Sequence, residues 1–465
     1  MSTRYRLTFT LLLTTLLSGG VATAAGVVVH GSVFGGGNEA EVQVNTTVNI
    51  SAGQVIGNVY GGGNLGDVGT INDKSDPSNY TWTDTDGNDN GTDATKNTGV
   101  CNVNITGGTI GDGTISDQKG NVFGGGKGND ESFYCEKGMA YSTNVKITKG
   151  TVHGDVYGGG QIARVESNTI VTIGPESGDD VADIKGSVFG AGAGLDTHGY
   201  SALVRGNPVV TIQGKAKVAH DVYGGGKIAS VGRHKVKTSN DPLTPADAPA
   251  DLPVGMPYTL QNTNSGFCTV HIKGSAEIAG DVFGAGQGLE PTYDSNNPPR
   301  RMGMAGWEAP FATEDAYFVF LQTLALTTET DVTISESATV KGSVYGGSKS
   351  GFVQYNTDVK IQGGTIGESD SDEGNIYGGG LGYEGSDFAG RVSGDTKITV
   401  SGGTTYGAVY GGGAYGIVKE SVEVNIAGGE VKKDVYGGGA LANTNTENWE
   451  EVTGLTVGTS VVTGL

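Results

Sequence analysis

Between residues 86 and 91 the chain reads Asp-Gly-Asn-Asp-Asn-Gly, placing oxygen-bearing side chains at alternate positions Asp86, Asn88 and Asn90. A hard cation such as calcium is held by about six to eight oxygens, and an Asp-x-Asn-x-Asn-Gly opening supplies several of them before a sharp glycine turn. The twelfth position of such a loop is Asn97, where an acidic residue would normally close the site with both oxygens. Asp84, Asp89 and Asp93 are the carboxylates available to compensate. Calcium at Asp86, Asn88 and Asn90 is one expectation; a solvated acidic loop is the simpler one, because the closing carboxylate is missing.

A second chemistry is offered by aromatics. Tyr60, Phe123, Tyr157, Phe189 and Tyr223 all sit in the same short context, valine-aromatic-glycine. Rings repeated in this way either stack as a structural ladder, each offset pair adding about 0.5–1.5 kcal/mol, or form an exposed strip on which sugars can lie. The ladder is the plainer expectation. Other matches dissolve on inspection. Gly61-Gly-Gly-Asn-Leu-Gly66 fits a dinucleotide fingerprint in letters, but the same glycines recur along the whole chain and no helix is expected to follow them. Gly125-Gly-Lys-Gly-Asn-Asp130 opens like a calcium-binding nonapeptide but occurs once, with Ser132 where an apolar residue belongs. His30, His153, His198, His220, His234 and His271 are scattered, and no nucleophile elbow or zinc spacing is present. No catalytic residues are therefore assigned.

The element that must position all of these residues is a repeat. Gly-x-Val-aromatic-Gly-Gly-Gly, or a close variant, occurs eleven times, from Val33-Phe34 to Val435-Tyr436. Ten of the eleven are preceded by Val-x-Ile or, at 398–400, Ile-x-Val, with glycine following in all but the copy at 332–334, as at Val48-Asn49-Ile50 and Val424-Asn425-Ile426. Val-x-Ile alternates apolar and polar side chains, the mark of a strand with one buried face. Glycines then turn the chain, a short strand carries the Val-aromatic pair, and the triple glycine turns it again. A third weak strand, such as 163–165 or 352–355, leads on. Three or four buried aliphatics stabilise by on the order of 8 kcal/mol, less than the entropy of ordering one coil, so the coils must stack. The expected fold is all-β: a right-handed parallel β-helix, or β-solenoid, of about eleven coils.

Repeat spacing is 26 residues at its shortest, mostly 32 to 34, and three times 60 or more. The long insertions fall near 64–100, 227–267 and 287–330, and ten of the twelve prolines lie in them. A fixed insertion point means a fixed edge of the rod, so these loops should project from one side. The 287–330 insertion is the most apolar, with Met302, Met304, Trp307 and Phe311 before Ala316–Leu324.

Residues 1–25 have the layout of a secretory signal peptide: Arg4 and Arg6, an apolar run from Phe9 to Leu17, then Ala22-Thr23-Ala24-Ala25. That leaves 26–465 as the solenoid. No later stretch is apolar enough for a membrane helix, so no membrane insertion is expected. A formal charge of −21 disfavours nucleic acid. Cys101 and Cys135 flank one repeat, either bridged or independent, which leaves Cys268 odd.

With these units on the page, Val-Asn-Ile-Thr-Gly-Gly-Thr-Ile-Gly at 103–111 and Gly-Asp-Val-Tyr-Gly-Gly-Gly at 154–160 resemble glycine-rich repeats of large secreted surface proteins of gut and oral bacteria. More distantly they are similar to the β-helical passengers of autotransporter adhesins. The resemblance implies an adhesive or structural role at a cell surface, with a host or matrix surface, glycan or protein as partner. It supplies no cofactor and no catalytic residue. Two other roles remain open from sequence: a polysaccharide-active β-helix, and an extracellular filament built by end-to-end self-association.

Overall fold

The computed structural model describes residues 26–73, 81–82, 98–113, 119–132, 134–196, 198–236, 257–259, 265–289, 324–369, 374–384, 386, 389–444 and 459–464. It is a parallel β-helix in which every described coil pairs in parallel with the coils before and after it. The Val-aromatic pairs form one sheet of 11 strands, two residues each, running in sequence order from Val33–Phe34 to Val435–Tyr436. The Val-x-Ile strands form the largest sheet, with equivalent residues in register: Val103 opposite Val145, Val171 opposite Val210, Ile272 opposite Ile334. The side-chain period of two does the rest. In Phe267–Ile272 the odd positions face out and Cys268, Val270 and Ile272 are buried.

Each coil departs from the expected three strands in one respect. After the glycine turn, two or three residues pair as an additional strand, for example Gln54–Val55, Ala182–Ile184 and Glu277–Ile278. It brings a further aliphatic, such as Val55, Ile184 or Ile278, into the core. In the coils with Val-x-Ile-x-Gly-Gly-Thr-Ile the two strands run together as Val100–Ile110 or Thr357–Ile366, bent at Gly108 (φ +86°) or Gly364 (φ +79°). These are left-handed conformations that a residue with a Cβ avoids. The leading strand expected at 163–165 shrinks to a single bridging residue in most coils, Val42, Val68, Ala140, Val165, Val204 and Val231, then Thr327, Val418 and Thr444, whereas the one expected at 352–355 keeps two residues, Phe352–Val353 pairing with Arg391–Val392.

Polar ladders fasten the coils. Thr46 Oγ1 donates to the Gly61 carbonyl, Thr169 to Gly190, Thr330 to Gly346 and Thr357 to Gly378, each at 2.6 Å, across the interior of one coil. Cys101 stands opposite Thr46 and Thr143, and Cys268 opposite Thr330, so both cysteines are buried substitutes at this threonine position. No disulfide joins Cys101 to Cys135, and Cys268 forms none either. At the turn before the aromatic strand, Asn58 Oδ1 accepts the Asn121 N–H at 3.0 Å, Asn121 accepts Asp155 N–H at 2.8 Å, and Asp155 accepts Ser187 N–H at 2.8 Å.

All three long insertions are attached beside the bridging residues. The first leaves after Val68 and returns before Val100; the second leaves after Val231 and returns before Phe267; the third leaves after Gly288 and returns before Thr327. Two short antiparallel pairs begin and end within insertions, Ile71–Asp73 with Thr81–Trp82 and His234–Val236 with Pro257–Thr259. No described helix is long and apolar enough to cross a membrane.

Candidate functional site

The aromatic positions are brought together as one stack. From Phe34 through Tyr60, Phe123, Tyr157, Phe189 and Tyr223 to Phe283, Tyr345, Tyr377, Tyr410 and Tyr436, successive ring centroids lie 4.6 to 5.0 Å apart with planes within 2–8°. Each face is covered by the next ring. The hydroxyl edges are closed as well: Tyr60 donates to Gln161 at 2.6 Å, Tyr157 to Asp155 at 2.8 Å and Tyr223 to Asp221 at 2.7 Å. Lys227 reaches Asp155 and Lys349 reaches Asp221, both at 3.4 Å, from two coils further on. Burial pushes the Tyr60 hydroxyl up to about 12 and Tyr223 well above its ordinary value. Tyr60, Phe123, Tyr157, Phe189 and Tyr223 therefore offer no open ring face to a sugar, and their common orientation is a stacking ladder.

Asp86, Asn88 and Asn90 lie outside the described residues. Among the described residues no group of three or more His, Cys, Asp or Glu side chains could hold a metal ion.

The flank that carries the insertions is where polar and aromatic side chains depart from the repeat. Trp82, in the first insertion, is buried against Met139 and Tyr141, its ring centroid 5.9 Å from that of Tyr141. One coil on, Arg164 and Glu166 flank the bridging Val165, and Arg205 follows the bridging Val204. Arg164 Nη2 donates to Glu166 Oε1 at 2.6 Å and Arg205 Nη1 to Glu166 Oε2 at 3.0 Å, with all three side chains buried. Burial opposes the charge on Glu166, but the two guanidinium groups outweigh it and hold its carboxyl below the usual range. The Arg164 guanidinium also lies 5.7 Å from the centre of the Tyr200 ring, and Tyr200 meets Tyr134 edge-on at 5.0 Å. Further along, Arg391 stacks on Phe352 at 5.2 Å. These side chains brace the flank rather than line an opening. Only one signal in the sequence points to them: Ala163-Arg164-Val165-Glu166 and Val204-Arg205 put charges beside an inward valine at the same phase of the repeat.

A recess of about 600 Å³ lies on the outer face of the Val-x-Ile sheet, bordered by Phe267, Glu329, Asp331, Asp358, Lys397 and Glu423. In register, Asp331 stands opposite Asp358 and Asp358 opposite Lys397. Lys360 bridges the carboxylates, bonding Asp331 closely and Asp358 at 3.0 Å. Burial works against its charge, but the two hydrogen bonds prevail and raise its pKa. His271, half-buried on the same face, has its pKa lowered, chiefly by burial. The recess can present hydrogen-bond donors and acceptors in rows one rung apart, a pattern suited to a polyhydroxylated chain. Nothing at the level of residue types in the sequence brings Asp331, Asp358 and Lys397 together; only the stacking register does.

No family model matches this chain, and no curated protein and no solved structure matches it. Class is therefore defined by fold alone: a parallel β-helix with long insertions on one edge.

Proposed function

We propose that the chain is an exported, surface-displayed binding protein, in which a stiff β-helix presents long loops to a glycan or protein of a host surface or matrix. The observation that carries this reading is the uneven placement of variation. The aromatic ladder runs unbroken through every described coil and the Val-x-Ile register from Thr46–Ile50 onward, while the three long insertions all attach beside the bridging residues. Loops gathered on one edge of a rigid scaffold are the usual arrangement for recognition. The leader-like residues 1–25 and the acidic composition support export and solubility.

A second reading, a polysaccharide-active β-helix, is favoured by one observation: the carboxylates Asp331 and Asp358 sit side by side in a half-open recess. Both carboxylates are engaged by Lys360, which fits binding better than proton transfer. One experiment separates the two. The protein is incubated with neutral and acidic polysaccharides, and retention is scored together with new reducing ends or unsaturated products. Retention without cleavage is expected. Cleavage of any polymer overturns the binding reading, and retention that survives replacement of the insertions by the short connection of the 26-residue coils removes the loops from it.

A further inference from the structure

The recess on the outer face of the Val-x-Ile sheet is longer along the rod than across it. It takes three consecutive residues from each of five successive coils, beginning with 267–269 and reaching 421–423. The outward side chains Thr269, Asp331, Asp358, Lys397 and Glu423 stand opposite one another from coil to coil. The recess therefore offers a polar group at every rung, about every 4.8 Å. Among the described residues, the carboxylates of Glu329, Asp331, Asp358, Asp395 and Glu423 border it against one ammonium, that of Lys397. Its field is negative, in keeping with the charge of −21 on the chain. Lys360 ties Asp331 to Asp358, and Lys397 meets Glu423 at 3.1 Å, so these carboxylates are held in line before a ligand arrives. The second and third insertions rejoin the rod at the rim of the recess, before Phe267 and before Thr327.

We infer that this recess seats a linear glycan carrying free amino groups, laid along the rod with one sugar to each rung. The inference rests on the proposed reading of the chain as a binding protein and extends it from the loops to the rod face they adjoin. Repeat length selects a glycan over a peptide. A pyranose linked through opposite ends of its ring advances by close to one rung, so successive sugars meet the same row of side chains. An extended peptide advances about 3.3 Å per residue and falls out of step with the rungs. Charge selects the kind of sugar. Uronic acids and sulfated sugars are repelled by the carboxylates, whereas an ammonium substituent gains a charge-assisted hydrogen bond from them. Thr269 and Lys397 are left to serve the ring hydroxyls, and Phe267, half-buried at the rim, gives apolar surface for the ring hydrogens.

The test is isothermal titration calorimetry of the full chain with short oligomers of β-1,4-linked glucosamine, of its N-acetylated form, and of lysine. The glucosamine oligomer should bind, more weakly as salt is added, and the uncharged N-acetylated one about tenfold less tightly or worse. Equal affinity for the two sugars overturns the charge argument, and a lysine oligomer that binds as tightly as glucosamine overturns the spacing argument. Asp331→Asn with Asp358→Asn changes outward side chains only, circular dichroism verifies the fold, and affinity should fall about tenfold or more. Thr269→Arg, which puts a bulky cation into the same row, should weaken binding independently. Affinity unchanged in both variants overturns the inference. Replacing the second and third insertions by the short connection of the 26-residue coils separates the recess from the loops. Glucosamine binding that persists without them is expected. Binding that vanishes with the loops and ignores the recess variants overturns the inference and leaves the loop reading standing, as does the absence of glucosamine binding in a chain whose loops retain a polysaccharide.

Discussion

Gly224→Ala isolates the closeness of rung stacking from every other property of glycine. Gly224 has no left-handed backbone requirement, so alanine fits its φ and ψ without strain. The added Cβ, however, would lie 2.1 Å from the Gly284 carbonyl oxygen and 3.0 Å from Val270 Cγ2 in the next coil. Ordinary contact begins at about 3.4 Å, so the two coils must separate by roughly 1 Å at that point. The separation falls on a ladder whose bonds are 2.9 Å from Gly224 N–H to Phe283 and 3.1 Å from Gly225 N–H to Ala285. Overpacking costs about 1–3 kcal/mol and each of two buried, unmade backbone bonds about 1–3 kcal/mol, giving a loss of about 3–9 kcal/mol. Gly31→Ala is the matched control, because a Cβ there meets nothing within 4 Å. Urea denaturation followed by far-ultraviolet circular dichroism measures both. In a solenoid, stability passes only between neighbours, so Gly224→Ala should also split one transition into two, and hydrogen exchange should speed up first around 222–225 and 282–285. A Gly224→Ala midpoint within about 1 kcal/mol of the Gly31→Ala control would refute the argument.

Phe189→Leu removes a ring stacked on Tyr157 at 4.9 Å and on Tyr223 at 4.8 Å; two lost offset stacks predict about 1–3 kcal/mol of destabilisation in the same assay. Glu166→Gln leaves Arg164 and Arg205 buried without their carboxylate and should cost about 3–5 kcal/mol at neutral pH. Because the folded Glu166 pKa is depressed, its contribution is present above the unfolded carboxylate value and disappears as pH falls through the folded one. The gap between wild type and Glu166→Gln should therefore narrow in acid, and a gap constant with pH would disprove the charge argument. Cys101→Thr restores the hydroxyl that Thr46 and Thr143 use to reach a glycine carbonyl, and should stabilise by about 0.5–1.5 kcal/mol. The three thiols, raised by burial to about 12, should resist a thiol-specific reagent until the chain unfolds. Their raised folded values also predict stability that is full below the unfolded thiol pKa and declines as pH rises toward 12, read from denaturation midpoints on the alkaline side.

The coil was legible because its signals are local and repeated. Val-x-Ile shows a period of two within three residues, and Val-aromatic-glycine fixes the next strand, so equivalents such as Val103 and Val145 can be aligned before their pairing is seen. The strand at Gln54–Val55 or Lys217–Val218 escaped because two residues cannot display an alternation. Cys101 read as bridged to Cys135 or independent, and Cys268 as odd, until register put Cys101 and Cys268 in line with Thr46 and Thr330. Glu166 and Arg205, 39 residues apart, meet only because their coils are neighbours. The recess at Asp331, Asp358 and Lys397 has the same origin. Contacts within a coil are written in the local sequence, whereas contacts between coils depend on how many residues each insertion adds.

This division also explains why the flank, and not the core, is the place for recognition. A substitution on the aromatic or Val-x-Ile strands meets a neighbour on both sides: Phe123 lies 4.9 Å from Tyr60 and 4.8 Å from Tyr157, so its shape is fixed twice. An insertion after Val68 or Val231 must only return the chain to the same rung, and closure entropy grows slowly, by about 0.6 kcal/mol for each doubling of length. The bridging residue needs a single backbone pairing, such as Val68 N–H to the Met139 carbonyl at 2.8 Å, to keep its place. Long loops are thus tolerated at this edge. Where the first insertion leaves the rod, Trp82 is packed on Tyr141, and along the same flank Arg164 and Arg205 on Glu166 and Arg391 on Phe352 join neighbouring coils by large, directional contacts. A contact such as that of Trp82 holds a loop at its base, and a binding loop so held loses less entropy when it meets a partner.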